Sequence, residues 1–466
     1  MALLQNRQKL AAIAMVIVMA ALVGGAWVLM KGYAERAVGR AEAPSISEST
    51  GPPLPEAPSL AVLPFENINR DPHELFLPNG IAETLSVRLG NKPGLFVIAH
   101  RSAMAYRGKQ PEGKRPERSQ IGRALGVSHL LEGGVQKLAG FLLVRARLSE
   151  AATGKVVWER EYNGIVGQIF AYQDDIVARV HAQLAGQTGA ATPTAATPSP
   201  APPFTSNTKA YNLFLRAKEL GRRFQPGTNT LAIQQLGQAI RLDPKYARAM
   251  TELGWRYLTA AERGWVKDRE DALRQAESWG RRAIKVVPWP DALTLLSRLA
   301  QRRRNHAEAV ALAERAVALA PNHAAAHSRL AWSLALNGEA GRAMPVMQRA
   351  MRLSPRAEEG DSAREAWIYL MAGRWEDALV RFSVLRAWAV TPRIQRDARL
   401  GQVVSSLKLG RESEAKTLAE TLPKTMPDSG EYRLAAINED WGEMGLRDSA
   451  AVGQWIALLR RAGLKE

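Results

Sequence analysis

The sequence predicts a multidomain chain: a single transmembrane helix, a small α/β domain with a mixed sheet, and an all-α repeat superhelix. Three observations carry this. Residues 10–30 are an uncharged apolar run. Residues 59–186, between two Pro-rich linkers, alternate short apolar runs with helix-capping signals. From residue 207 onward Pro244, Pro288, Pro321, Pro355, Pro392 and Pro427 recur at spacings of 44, 33, 34, 37 and 35. The 466 residues suit about three units at ~150 residues each. A hydrophobic fraction of 46% with 23% charged residues provides for an ordinary core. The absence of cysteine excludes disulfides, thiolate nucleophiles, cysteine zinc sites and iron–sulfur clusters.

A nine-residue tail (1–9) precedes the apolar run. At ~1.5 Å per residue, residues 10–30 extend ~31 Å, the thickness of one hydrocarbon core. The run is longer than the apolar region of a cleaved signal peptide, and the nearest A-x-A lies at Ala41 to Ala43, well beyond it. An uncleaved anchor, in contact with the lipid bilayer through residues 10–30, is therefore expected. Arg7 and Lys9 stand before it and Lys31, Arg36 and Arg40 after it, so the positive-inside rule nearly ties. Ala20-x-x-x-Gly24 and Ala21-x-x-x-Gly25 would let two such helices pack as a homodimer.

The linkers are 41–58, rich in Pro, Ser and Glu, and 187–206, a Pro/Ala/Thr tract. Between them the expected order is β-α-β-α-β-β-β-α. Residues 60–65 form a strand broken at Pro64. Asn79 caps a helix over 81–89, ended by Gly90 and Asn91. A second strand covers 95–99, and Ser119 caps a helix over 120–125 that stops at Gly126. Strands follow at 129–137, 141–149 and 156–162, with turns at Ala139-Gly140 and Thr153-Gly154. An amphipathic helix over 165–184 closes the domain, with Asp174 and Asp175 read as its solvated acidic start.

These residues carry a resemblance. LAVLPF at 60–65, NGIAETL at 79–85, FVIA at 96–99, GRALG at 122–126, LEGG at 131–134, ATG at 152–154 and WEREY at 158–162 resemble the TolB amino-terminal-like domain found beside tetratricopeptide repeats. That module occurs in bacterial membrane proteins whose other end is a winged-helix regulator or a class III nucleotide cyclase. The likeness covers about 59–186, and LLRRAGL at 458–464 is similar to the end of the cyclase-linked members. It implies that the soluble bulk lies beyond the membrane from any cytoplasmic output. With nine residues before the anchor, no cyclase or DNA-binding domain is expected on that side.

The proline spacing past residue 207 approximates the ~34-residue tetratricopeptide period, the first spacing exceeding it by ten. Leu253, Gly254 and Tyr257 fit the first-helix signature, and Ala276 and Ala283 the second helix once ten residues are inserted between the helices. Ala309, Ala316 and Pro321 fit the next repeat; Gly338, Ala343, Met347, Ala350 and Pro355 the one after; Tyr369, Gly373, Ala378 and Phe382 a fifth. About six repeats are expected over 207–427, followed by capping helices over 428–466.

First helices line the concave side of such an array. Their ninth positions are Trp255, Arg298, Trp332 and Trp367. These four residues are the candidate partner-binding set, a tryptophan series interrupted by an arginine that would hold an extended or helical peptide. The competing reading packs the same tryptophans between neighbouring first helices as core.

Catalytic signals fail on inspection. Gly108-x4-Gly113-Lys114 resembles a P-loop, but Arg115 replaces the magnesium-binding hydroxyl and no buried strand leads in. His323 and His327 lie one turn apart without the glutamate or obvious third ligand of a metalloenzyme, except for His306. No catalytic residue, cofactor or metal site is expected, and a hydrolase hidden in the α/β domain is the disfavoured alternative. The net charge of +18 is spread along the chain, with Arg302, Arg303 and Arg304 as its basic triplet, so no nucleic-acid partner is expected. The expectation is a bacterial inner-membrane, single-pass protein with periplasmic domains, binding protein or peptide partners as a sensor or envelope scaffold. The alternative is an accessory subunit of a separate cyclase or transcription regulator, paired through the anchor.

Overall fold

Residues 52–71, 74–107, 116–186, 205–356, 358–422, 425–426, 430–431, 433–442 and 444–464 are described by the computed structural model. The expected anchor at 10–30, most of the linker at 41–58, residues 187–204 of the second linker and the P-loop-like segment 108–114 lie outside them. Among the described residues no helix is long and apolar enough to cross a membrane. The protein is a mostly helical tetratricopeptide-like superhelix carrying a small mixed sheet.

The sheet region begins with β1 (Ser59–Val62) and β2 (Glu66–Asn67), followed by α1 (Phe76–Gly90), β3 (Phe96–Val97), α2 (His100–Ala103) and α3 (Arg118–Leu125). The long strands β4 (His129–Leu138), β5 (Phe141–Glu150) and β6 (Val156–Ile165) come next, then α4 (Ile169–Ala185). Strand order is β3-β1-β4-β5-β6, with β2 added to β4. β1 pairs in parallel with β3 and β4, while β4, β5 and β6 form an antiparallel meander. β1 is buried along its whole length, as a strand flanked on both sides must be. Ala139 and Gly140, both at positive φ, make the tight β4–β5 turn.

Three local expectations are corrected. α1 starts at Phe76, so Asn79 lies inside the helix and caps nothing; Pro78 is tolerated there because a first turn needs no donor. α3 is capped by Glu117, whose side chain closes a capping box with Gln120, so Ser119 is not the cap. Asp174 and Asp175 lie in the middle of α4, not at its start. There Asp174 pairs with Arg88 at 2.5 Å, and Asp175 accepts from the Tyr162 hydroxyl at 2.8 Å. Helix α2, made from the polar HRSA segment, had no periodic signal to reveal it.

The repeats follow as α5 (Thr208–Gly221) with α6 (Pro226–Leu242), α7 (Ala247–Glu262) with α8 (Arg269–Val286), and α9 (Pro290–Arg302) with α10 (His306–Leu319). Then come α11 (Ala324–Leu336) with α12 (Ala340–Leu353), α13 (Glu359–Met371) with α14 (Trp375–Trp388), and α15 (Pro392–Lys408) with α16 (Glu412–Glu420). These six pairs among the described residues are followed by the short hairpin β7 (Thr425–Met426) and β8 (Gly430–Glu431), then α17 (Leu434–Gly442) and α18 (Ser449–Arg461). Alanines at the crossings, such as Ala276, Ala283, Ala313, Ala343 and Ala378, are essentially inaccessible, and that is what lets the paired helices approach closely.

The sheet region and the superhelix are not separate beads. One apolar core joins Leu60, Leu85 and Leu131 to Tyr211, Phe214 and Leu215 of α5 and on to Trp289. A second core spans the later repeats and takes in α17 and α18.

Candidate partner-binding groove

Consecutive first helices place a polar ladder on the inner face of the superhelix. On α9, Arg298 donates two hydrogen bonds of 2.8 Å to Glu262 of α7, and Arg302 reaches the same carboxylate at 3.5 Å. Gln301 of α9 accepts from Arg329 of α11 at 2.9 Å. Ser328 of α11 donates to Asp361 of α13 at 2.6 Å, and Arg364 of α13 pairs with Asp361 and reaches Ser328 at 3.3 Å. The ladder arises because residues about one repeat apart come into register on neighbouring first helices. Burial would raise the Glu262 carboxyl, but Arg298 and Arg302 outweigh it and hold it below the usual carboxylate range.

The four sequence-predicted residues separate into two environments. Trp255 is half-buried at the end of a small apolar cluster, and the Arg298 side chain is 30% exposed on the open face. Trp332 and Trp367 are 8% and 4% exposed and belong to the second core. Trp367 lies edge-on to Phe382 and Trp441 and against Trp455, with centroids 5.2–5.5 Å apart. Two of those rings come from α17 and α18, so the chain's own C-terminal helices cover the groove at that end. The sequence reading missed this because the covering segment lies outside the repeat period.

Toward the other end the α/β region is seated on the array. Glu83 of α1 pairs with Lys218 of α5 and accepts from Arg248 of α7 at 3.0 Å. Burial would raise its carboxyl, but Lys218 and Arg248 hold it well below the usual carboxylate range. Asn322 donates to the carbonyls of Gly90 and Leu95, at 3.1 and 2.7 Å. Ala99 N–H donates to the Leu353 carbonyl at 2.8 Å, and Arg352 to the Gly126 carbonyl at 2.8 Å. Arg349 and Arg352 both lie over the Phe96 ring. Glu83 and Asn322 carried no sequence signal, since their partners are more than 130 residues away.

The suspected histidine centre is not assembled among the described residues. His323 caps α11 through Nδ1 and pairs with Asp291 at 3.2 Å, while His327 Nε2 donates to the Pro321 carbonyl at 2.9 Å. His306 begins α10. No group of three His, Asp or Glu residues suited to a metal occurs among the described residues. The P-loop-like segment lies outside them.

Comparison with known proteins agrees with the repeat period. The tetratricopeptide repeat family matches residues 294–358, the stretch from α9 to the start of α13 that holds Arg298, Gln301 and Arg329. A protein named putative adenylate cyclase 3, from Rhizobium meliloti (strain 1021), is 31% identical over 244 residues, which are 52% of this chain. The chain covers 40% of that relative's length. Among solved structures, a thermophilic TPR protein from Thermus thermophilus is 19% identical, with 42% of this chain and 99% of that one covered and a TM-score of 0.34. PilF of Pseudomonas aeruginosa is 15% identical, with 50% and 97% covered and a TM-score of 0.38.

Proposed function

We propose that this protein is a membrane-anchored, non-catalytic interaction protein of the bacterial inner membrane, held by residues 10–30. Its domains lie in the periplasm, where it acts as a sensor or envelope scaffold. It binds a protein or peptide partner on the inner face of the repeats, next to the α/β region, with Arg298 and Trp255 as accessible contacts. Trp332 and Trp367 belong to the second core and are not contacts in this reading. The observation that carries this reading is the partly exposed polar ladder along α7, α9, α11 and α13, which the apolar core does not need for packing.

A photo-crosslinking amino acid at Arg302, inside the groove, tests it against one at the outward-facing Arg282. Capture of a distinct envelope protein from Arg302 alone is expected, and capture only from Arg282 overturns the reading. Alkaline phosphatase fused after Glu466 should be active and green fluorescent protein dark; the reverse pattern would move the domains to the cytoplasm.

A second reading is favoured by the cyclase-named relative. In it the chain is an accessory regulatory subunit of a separate nucleotide cyclase or transcription regulator, paired through the anchor. Co-purification of such a partner through residues 1–40 would select it.

A further inference from the structure

The inner-face ladder does not balance its charge. Arg298, Arg302, Arg329 and Arg364 face Glu262 and Asp361, four guanidiniums against two carboxylates. Both carboxylates are already engaged by other arginines. Arg329 is 6% exposed, and its hydrogen-bond partner among the described residues is Gln301, a neutral amide. A buried guanidinium without a carboxylate is costly, because desolvation is not repaid by a neutral acceptor. Burial, together with the Arg298 and Arg364 charges on either side, accordingly drives Arg329 far below the usual arginine range. The flanking side chains remain accessible: Arg298 is 30% exposed, Arg302 28%, Arg364 25% and Asp361 26%. The Arg329 guanidinium thus lies at the floor of a partly exposed, net-positive recess.

We propose that this recess takes an acidic peptide segment, one of whose carboxylates completes the coordination of Arg329 while neighbouring ones meet Arg298, Arg302 and Arg364. The proposal rests on the reading of the inner face as a peptide groove and adds the chemistry of the occupant. A carboxylate suits the site because a planar guanidinium presents paired N–H donors to it. A cationic or apolar peptide would leave Arg329 as it stands. Internal partners tune the recess: Glu262 competes with the ligand for Arg298 and Arg302.

The test uses the full chain in detergent and fluorescein-labelled octaglutamate, read by anisotropy at constant salt, with octaglutamine as the control. Octaglutamate should bind and octaglutamine should not. Arg329→Gln should weaken binding about tenfold, the scale of one charged hydrogen-bonded contact. Glu262→Gln, which frees two arginines, should tighten it, so the proposal does not depend on the Arg329 variant folding. Arg282→Gln on the outer face should change nothing. Equal weakening by Arg282→Gln would mean general surface charge and overturn the proposal. Binding of inorganic phosphate without binding of octaglutamate would overturn it in favour of a small anion. Failure of octaglutamate, while the Arg302 cross-linker still captures a partner, would refute the acidic class and leave the groove reading intact; loss of that capture as well would remove both.

Discussion

Both ring nitrogens of His100 are buried, and among the described residues neither has a hydrogen-bond partner. Burial pushes its imidazole down to about 4, against the pull of Glu83 and with the push of Arg222, Lys218 and Arg107. A base whose folded-state pKa lies below its unfolded value takes up its proton more readily when unfolded. Its contribution is therefore complete above about pH 6.5 and is lost as the pH falls toward 4, a loss on the order of 3 kcal/mol. His100→Phe should flatten the fall in Tm between pH 6.5 and 4; unchanged slopes would assign the titration elsewhere. Glu83 has the opposite sign of interaction but the same direction. Its depressed carboxyl contributes fully above about pH 4.5 and loses that contribution only in stronger acid, so the two windows separate. Glu83→Gln leaves Lys218 and Arg248 facing an uncharged amide in a buried site and should cost about 3–5 kcal/mol by urea denaturation. Adding Lys218→Met should restore part of that loss.

The helices show how a ten-residue surplus is absorbed. The expected insertion between the helices of the second repeat is not a loop. Compared with α9 and α10, α7 is longer by three residues, α8 by four, and the connection 263–268 by three. The lengthened pair walls a cleft of about 350 Å³ with α6, lined by Ile233, Leu253, Tyr257 and Trp279. Gly254 sits where α7 meets its neighbours: a Cβ there would stand 3.0 Å from the Ala276 carbonyl oxygen and 2.6 Å from Leu295. Gly254→Val should cost about 1–3 kcal/mol, measured as a lowered Tm without loss of helical circular dichroism. Gly254, Ala276 and the later repeat alanines were legible because close helix crossings demand small residues at fixed spacing. The strands of the β4–β6 meander were legible to within three residues from their turns. Helix α2, the cap of α3 and the inner-face ladder were not, since each depends on contacts set by the assembled fold and not by local periodicity. The ninth-position tryptophans illustrate the limit: the spacing that placed them on first helices carries no information about α17 and α18 packing Trp441 and Trp455 against Trp367.

At the scale of the molecule, the shared core makes the α/β region and the first repeats one cooperative unit. Removing residues 52–186 would bare Tyr211, Phe214 and Leu215, each now 4% exposed or less. Such a deletion should yield aggregated or poorly folded protein by size-exclusion chromatography, whereas a recovered, monodisperse repeat fragment would show that the shared core is dispensable. Repeat arrays ordinarily change length by gaining or losing whole units, because each unit touches only its neighbours. Here the α/β region grips α5 and α7 through Glu83 and, at the same time, the α11 entry and the α12 exit through Asn322 and Leu353. Those attachment points all lie on the one α/β region, on α1, on the segment around β3 and at the start of α2. A duplicated or deleted helix pair between α7 and α11 would carry Asn322 and Leu353 a full repeat away from Gly90 and Ala99. The solenoid is in effect clamped by a gauge of its own making, and its repeat number between α7 and α12 can drift only if the clamp is released first.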